Sequence, residues 1–260
     1  MARARINGIE IDHEVGGRGP ALLLTHGYSA TGRMWAPQRP ALEPAWRVIT
    51  WDMRGHGETD SPADPAAYGE PLTVADMRGL LAHLGVGRAV IGGLSLGGYM
   101  SLAFHLRHPD MVRALVVCDS GPGYRNDAAR TQWNERARAR AGDLEARGLA
   151  VLEGGSREMR EAMARHHSAQ GLAHAARGML AQDGPAVIDS LPGIRVPTLI
   201  VVGDRDTPFL APSEYMARKI PGARLVVIPD AGHASNIDQP AAFNHALLTF
   251  LDSLPREAAA

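Results

Sequence analysis

Short runs of consecutive apolar residues recur along the 260-residue chain and alternate with longer segments of mixed character. Runs of this length, without polar alternation, mark strands buried on both faces. They fall at Ala21–Thr25, Arg47–Trp51, Ala89–Gly93, Ala114–Cys118, Thr198–Val202 and Arg224–Ile228. Ahead of them, Arg5–Val15 alternates polar and apolar positions around Asn7-Gly8, a pair suited to a tight hairpin turn. Thr73–Leu84 predicts a helix with Thr73 as its N-cap and Asp76 close to completing a capping box. Another helix is expected from near Leu96 to before Pro109, and a last one after Asp238-Gln239-Pro240, where proline suits the first turn. The alternation of strand and helix predicts an α/β fold, a mostly parallel central sheet covered by helices on both faces.

That rhythm breaks between about Gly123 and Ser190. The stretch has no strand-like run, is rich in Arg, Ala and Glu, and is punctuated by Gly142, Gly148, Gly154-Gly155, Gly171 and Gly184-Pro185. It predicts a helical insertion over 123–190, flanked by a core domain made of 1–122 and 191–260. Within it, Glu135–Ala141 alternates Arg and Ala. Interspersed acids make this a solvated helix face in preference to a nucleic-acid patch.

Composition narrows the function classes. The 27 basic and 28 acidic residues leave a formal charge of -1, which supplies no global field for nucleic acid or an anionic membrane. A small-molecule substrate fits that balance. No run of apolar residues reaches membrane-spanning length, and the first residues lack the apolar stretch of a signal peptide, so the expected compartment is the cytoplasm. Cys118 is the only cysteine, which excludes an intramolecular disulfide, and its apolar surroundings predict a core side chain. There is no H-E-x-x-H, no Cys/His cluster, no Walker lysine and no dinucleotide-binding glycine pattern; neither a metal nor a cofactor is expected.

Candidate chemistry begins at Gly93-Leu94-Ser95-Leu96-Gly97, which fits G-x-S-x-G, follows a predicted strand and opens a predicted helix. A serine squeezed between strand and helix needs a sharp turn, and the flanking glycines remove the side chains that would clash there. Its hydroxyl becomes nucleophilic only when an imidazole accepts the proton, and the imidazole needs a carboxylate to fix its tautomer. A histidine and an acid are therefore required elsewhere in the chain.

Two further motifs extend the pattern. Leu22–Tyr28 contains a strand running into His26-Gly27, and Asp52-Met53-Arg54-Gly55-His56-Gly57 fits D-x-R-G-x-G. With these, the chain resembles the α/β-hydrolase superfamily, in the branch of small esterases, enol-lactonases and cofactor-free haloperoxidases. The likeness runs from Leu22 to about Leu251, apart from the insertion. It implies the chain order nucleophile, acid, histidine. Gly203-Asp204-Arg205-Asp206-Thr207-Pro208 approximates the family's G-x-x-D-x-x-P and points to Asp206; the proline comes one residue early, and Asp204 stays an alternative. His233, in the loop from Pro229 to Pro240, takes the place of the general base.

The resemblance also implies an oxyanion hole from the backbone N–H groups of Tyr28 and Leu96, and a lid role for the insertion, with Trp133, Met159 and Met163 as candidate pocket residues. Ordinary packing between lid and core is the stronger explanation for any single one of them. His26 and His56 are expected to bond within their glycine turns, and His166 and the other helical histidines to lie on the surface or in packing. The implied activity is hydrolysis of small carboxylic esters through an acyl-enzyme. Alternatives are a lactone substrate, then carbon–carbon bond hydrolysis or perhydrolase and haloperoxidase-like chemistry, and outside catalysis a ligand-binding receptor. Ser95 argues against dehalogenation and epoxide opening, which use an aspartate nucleophile.

Overall fold

A computed structural model describes residues 2–255. Its strands are β1 (Ala2–Ile6), β2 (Ile9–Gly16), β3 (Ala21–Thr25), β4 (Arg47–Trp51), β5 (Ala89–Leu94), β6 (Val112–Cys118), β7 (Thr198–Gly203) and β8 (Arg224–Ile228). They form one 8-stranded sheet in the order β1-β2-β4-β3-β5-β6-β7-β8. β1 and β2 form an antiparallel hairpin through Asn7 and Gly8, both at positive φ, and β2 pairs antiparallel with β4. All other pairings are parallel. The order reverses direction at β3, so the loops leaving β3 and β5 lie side by side at the carboxyl edge, where open α/β sheets bind ligands.

Helices α1 (Arg39–Leu42), α2 (Glu70–His83) and α3 (Leu96–Arg107) accompany the first half of the sheet. Between β6 and β7 come α4 (Asp127–Arg147), α5 (Arg157–Ala162), α6 (Ala169–Ala175) and α7 (Ala186–Ser190). The chain closes with α8 (Thr207–Lys219), α9 (Ser235–Asp238) and α10 (Pro240–Asp252). Alternate residues of each buried strand feed two separate cores. Leu23, Ile49, Ile91, Leu115 and Ile200 pack with α2, α3 and α8, while Leu22, Leu24, Val48, Val116 and Val201 pack with Trp35, Phe243, Leu247 and Phe250. β3 to β7 are mostly apolar because both of their faces are covered, whereas β8, expected to be buried as well, is an edge strand, with only Ile228 buried and Val227 47% exposed.

Residues 123–190 contain helices and no strand. Their buried side chains, among them Leu144, Leu152, Leu172 and Met179, join the first core. Among the described residues, no helix is long and apolar enough to cross a membrane.

One helix start differs from expectation. α2 begins at Glu70 with Pro71 in its first turn, and Thr73 is already helical, its hydroxyl donating to Gly69 O at 2.9 Å. Asp76 is not a capping partner; it receives Arg54 Nε at 2.7 Å and Arg54 Nη2 at 2.8 Å, and Asn7 Nδ2 at 2.9 Å. The arginine of D-x-R-G-x-G is thus a structural strut, with Arg54 and Asp76 only 3% and 0% exposed. Replacing Arg54 by Met strands a buried carboxylate and is expected to destabilise the chain by about 3–5 kcal/mol in urea unfolding, with Asp76→Leu in the same chain recovering most of the loss. Recovery absent from the double variant would show that the hydrogen bonds from Arg54 to Ala67 O and from Asn7 to Asp76, not the charge pair, matter.

Candidate active site

Ser95 occupies the turn between β5 and α3 with φ 54° and ψ −115°, a conformation an L-residue holds only when its surroundings impose it. The surroundings here are glycines and hydrogen bonds. A Cβ at Gly93 would sit 2.4 Å from the carbonyl carbon of Gly97, and one at Gly97 would sit 2.3 Å from Thr25 O. Ser95 N donates to Cys118 O at 2.8 Å, and Ser120 Oγ donates to Ser95 O at 2.7 Å. The elbow is thereby held against β3 on one side and the end of β6 on the other.

His233, in the loop after β8, lies across the same cavity. Its Nδ1 is 2.9 Å from Asp206 Oδ2, and the ring of Phe209 stacks on it with centroids 5.0 Å apart. Asp206 is 4% exposed at the N-terminus of α8, whereas Asp204 is exposed and accepts from Ala231 N at 3.2 Å. The two loops are zipped together by Asp204 N to Ile228 O and Arg205 N to Ala231 O, both 2.9 Å. Burial disfavours the His233 imidazolium, but the hydrogen bond and charge of Asp206, then Glu158 and Asp119, outweigh it and hold the pKa above the ordinary imidazole value.

A carboxylate not anticipated from the sequence braces both loops. Asp119, buried at the end of β6 with φ 45°, accepts from Gly203 N at 2.8 Å and from the N–H and hydroxyl of Ser235. Burial pushes its pKa up to about 7. Nothing local distinguishes it in sequence, because its partners lie 84 and 116 residues away.

The His26-Gly27-Tyr28 turn packs directly on the elbow. A Cβ at Gly27 would stand 3.5 Å from Ser95 Cβ, and Leu96 opens α3, where first-turn N–H groups have no helical acceptor. His26 accepts from Met53 N at 2.9 Å through Nε2 and donates from Nδ1 to Gly27 O at 2.7 Å, and burial drives its pKa down to about 3. It is a neutral spacer between the two glycine turns. Asp52 accepts from Gly32 N at 2.7 Å and Glu58 N at 3.0 Å, closing the second turn.

His166, expected on the surface or in packing, is buried and hydrogen-bonded through both ring nitrogens. It leaves the inserted segment, accepts from Gly57 N at 3.0 Å through Nδ1 and donates from Nε2 to Ser29 O at 3.0 Å. With Tyr28 Oη donating to Leu172 O at 2.8 Å, it ties residues 123–190 to the His-Gly loop.

The cavity itself holds about 520 Å³ and is lined by Gly27, Tyr28, Ser95, Asp206 and His233 from the loops at the carboxyl edge of the sheet. Trp133 and Met159 form part of its wall, as do Arg136, Arg140 and Glu158. Met163 does not line it; it packs against the first core, half-buried. A smaller apolar lobe of about 130 Å³, bounded by Tyr99, Tyr124, Trp133, Phe209 and Pro212, also opens onto Ser95. The arrangement can pass a proton from a serine hydroxyl to an oriented imidazole beside backbone donors, in a partly apolar pocket.

Known proteins share this architecture. Residues 20–240 match the family described as alpha/beta hydrolase fold. The chain is 29% identical over 253 residues to 3-oxoadipate enol-lactonase 1 of Acinetobacter baylyi, covering 90% of each sequence. Among solved structures, it superposes on a thermophilic esterase from Thermogutta terrifontis with a TM-score of 0.84 and 31% identity, covering 98% of this chain and 99% of that one. The enol-lactonase from Burkholderia xenovorans LB400 gives a TM-score of 0.83 and 29% identity over 97% and 100% of the two chains. With its mostly parallel sheet, its strand–elbow–helix and a family match spanning most of its length, the chain belongs to the α/β-hydrolase fold family.

Proposed function

We propose that this chain is a serine-dependent hydrolase of small carboxylic esters, with Ser95 as nucleophile, His233 as general base and Asp206 as the carboxylate that orients it. The observation that carries the reading is the convergence of Ser95 and His233 on one cavity, with His233 Nδ1 2.9 Å from Asp206 Oδ2. Because Nδ1–H donates to Asp206, Nε2 is the unprotonated nitrogen and is free to act as base.

Ser95 Oγ attacks the ester carbonyl carbon while its proton passes to His233 Nε2. The carbonyl π electrons move onto oxygen, and the N–H groups of Tyr28 and Leu96 receive the oxyanion. Collapse breaks the carbon–oxygen bond to the alcohol, which leaves with the proton from Nε2, and the acyl group stays on Ser95. Water then attacks the acyl carbon, giving its proton to His233; collapse returns the proton to Ser95 Oγ and releases the carboxylic acid. Residues 123–190 serve as the lid of this site, anchored by His166 and Tyr28 and contributing Trp133 and Met159 to the pocket.

A lactone is the second reading, favoured by the enol-lactonase likeness over nine-tenths or more of both chains. The chemistry differs only in that the alcohol remains attached to the acyl group. A panel of aryl esters and lactones, assayed with the native chain, tests both readings. A native chain that turned over neither class would leave a ligand-binding role as the better description.

The base must be neutral to accept a proton, so kcat/KM is expected to fall as pH drops through the His233 pKa, which lies above the ordinary 6.5. The acid limb should therefore have a midpoint above 6.5, moving down when Asp206 loses its charge. A profile flat through the imidazole range would remove His233 from the base role.

A further inference from the structure

Two arginines of α4 stand in the wall of the catalytic cavity. Positions 133, 136, 137 and 140 fall on one face of a helix, and Trp133, Arg136, Ala137 and Arg140 all line the cavity that contains Ser95. Four arginines of residues 123–190 meet carboxylates, Arg125 with Asp189, Arg130 with Asp127, Arg157 with Glu161 and Arg177 with Glu145, while Arg138, Arg147, Arg160 and Arg165 form no ion pair among the described residues and lie outside the cavity wall. Among the described residues, Arg136 and Arg140 form no such ion pair, although α4 carries acids nearby in sequence. Arg140 lies over the ring of Tyr28, 5.6 Å from its centroid, which places one of these cations beside the His-Gly loop.

Two acids, Glu158 and Asp206, line the same cavity. Glu158, from α5, is 4% exposed; Ser156 Oγ donates to one of its carboxylate oxygens, and the other has no hydrogen-bond partner among the described residues. Its charge acts on His233, as do those of Asp206 and Asp119. Two cations are thus associated with the α4 wall and Tyr28, and three carboxylates with the imidazole. In ester hydrolysis the leaving alcohol departs beside the imidazole that protonates it, so the acyl arm extends away from His233. The smaller lobe that opens onto Ser95 is lined by Arg136 and by neither Glu158 nor His233, so an anion on an acyl arm lying there meets Arg136, with Arg140 one turn further along α4.

The geometry points to a substrate whose acyl arm ends in a carboxylate, a monoester of a dicarboxylic acid, held through that carboxylate by Arg136 and Arg140. This rests on the proposed hydrolase reaction. Guanidinium groups suit the task because each presents parallel N–H donors to a carboxylate.

The test compares the p-nitrophenyl monoester of glutaric acid with p-nitrophenyl pentanoate, which has an acyl chain of the same length and no charge. The native chain is expected to favour the glutarate ester in kcat/KM by about tenfold or more, the size of one charge-assisted hydrogen bond, mainly through KM. In Arg136→Gln/Arg140→Gln the ratio of the two esters should approach one, and raising the salt concentration should shrink it in the native chain. Because each ratio is taken within one preparation, partial misfolding of the variant does not alter it. A native ratio of one or below, or a ratio that the double variant leaves intact, overturns the proposal. Calorimetry with glutarate and the Ser95→Ala chain separates this idea from the reaction it rests on. Glutarate binding lost in the Ser95→Ala/Arg136→Gln/Arg140→Gln chain supports the arginine site even where no ester is turned over, while absence of glutarate binding counts against it.

Discussion

Ser95→Ala is expected to lower kcat for any ester substrate by on the order of 10⁶-fold, the loss typical when the nucleophile of a serine triad is removed. The fold should survive, because alanine keeps the Cβ that already sits at φ 54° and gives up only the hydroxyl. The Ser120 and Cys118 hydrogen bonds that hold the elbow go to and from backbone atoms of residue 95, and they remain in the variant. Esterase assays together with thermal unfolding read both halves of this expectation. A serine-directed phosphonate should add its mass at Ser95 in the native chain and nowhere in the variant. Turnover within tenfold of native would assign the nucleophile to another residue.

Asp206→Asn has the next largest expected effect, about 10⁴-fold in kcat, because an amide can leave His233 with the wrong nitrogen protonated while preserving the geometry. Asp204→Asn tests the alternative acid and should change kcat by only a few-fold, since its side chain faces solvent and accepts only from Ala231 N. Similar losses in the two variants would mean that Asp204 acts through the loop it braces. Asp119 belongs to neither group. Its carboxylate receives Gly203 and Ser235, one from the acid loop and one from the base loop, so it sets the spacing between Asp206 and His233 without touching either in the described hydrogen bonds.

The strands were legible because each is a local event. Apolar runs at Ala21–Thr25, Arg47–Trp51 and Arg224–Ile228 became strands with those bounds, and the other three gained only a residue or two at an end. The Asn7-Gly8 hairpin was equally local, since the turn needs positive φ at both residues and both have it. The start of α2 was not. Thr73 is a good N-cap in isolation, but Pro71 and the Gly69 carbonyl start the helix earlier, and Asp76 was taken by Arg54 from across the chain. Met159 and Met163 show the same limit. Four residues apart in sequence, both pack with the first core, but only Met159 also lines the cavity, and the helix tightens into a 3-10 turn at Met163.

By itself the sequence determined the alternation of buried strands and helices, the elbow that presents Ser95, and the glycine turn beside it. Those features depend on side-chain period and on which residues tolerate a given φ, properties a short segment carries with it. The tertiary structure decided which of two nearby aspartates meets His233, that Asp119 and His166 brace the surrounding loops, and that Arg136 and Arg140 face the cavity. α4 is strongly polar, and Ala128, Ala129, Ala137, Ala139, Ala141 and Ala146 fall on several faces, so its sequence alone does not say which of them packs. Its packing through Ala137, Ala141 and Leu144 set Arg136 and Arg140 in the wall of the cavity that contains Ser95.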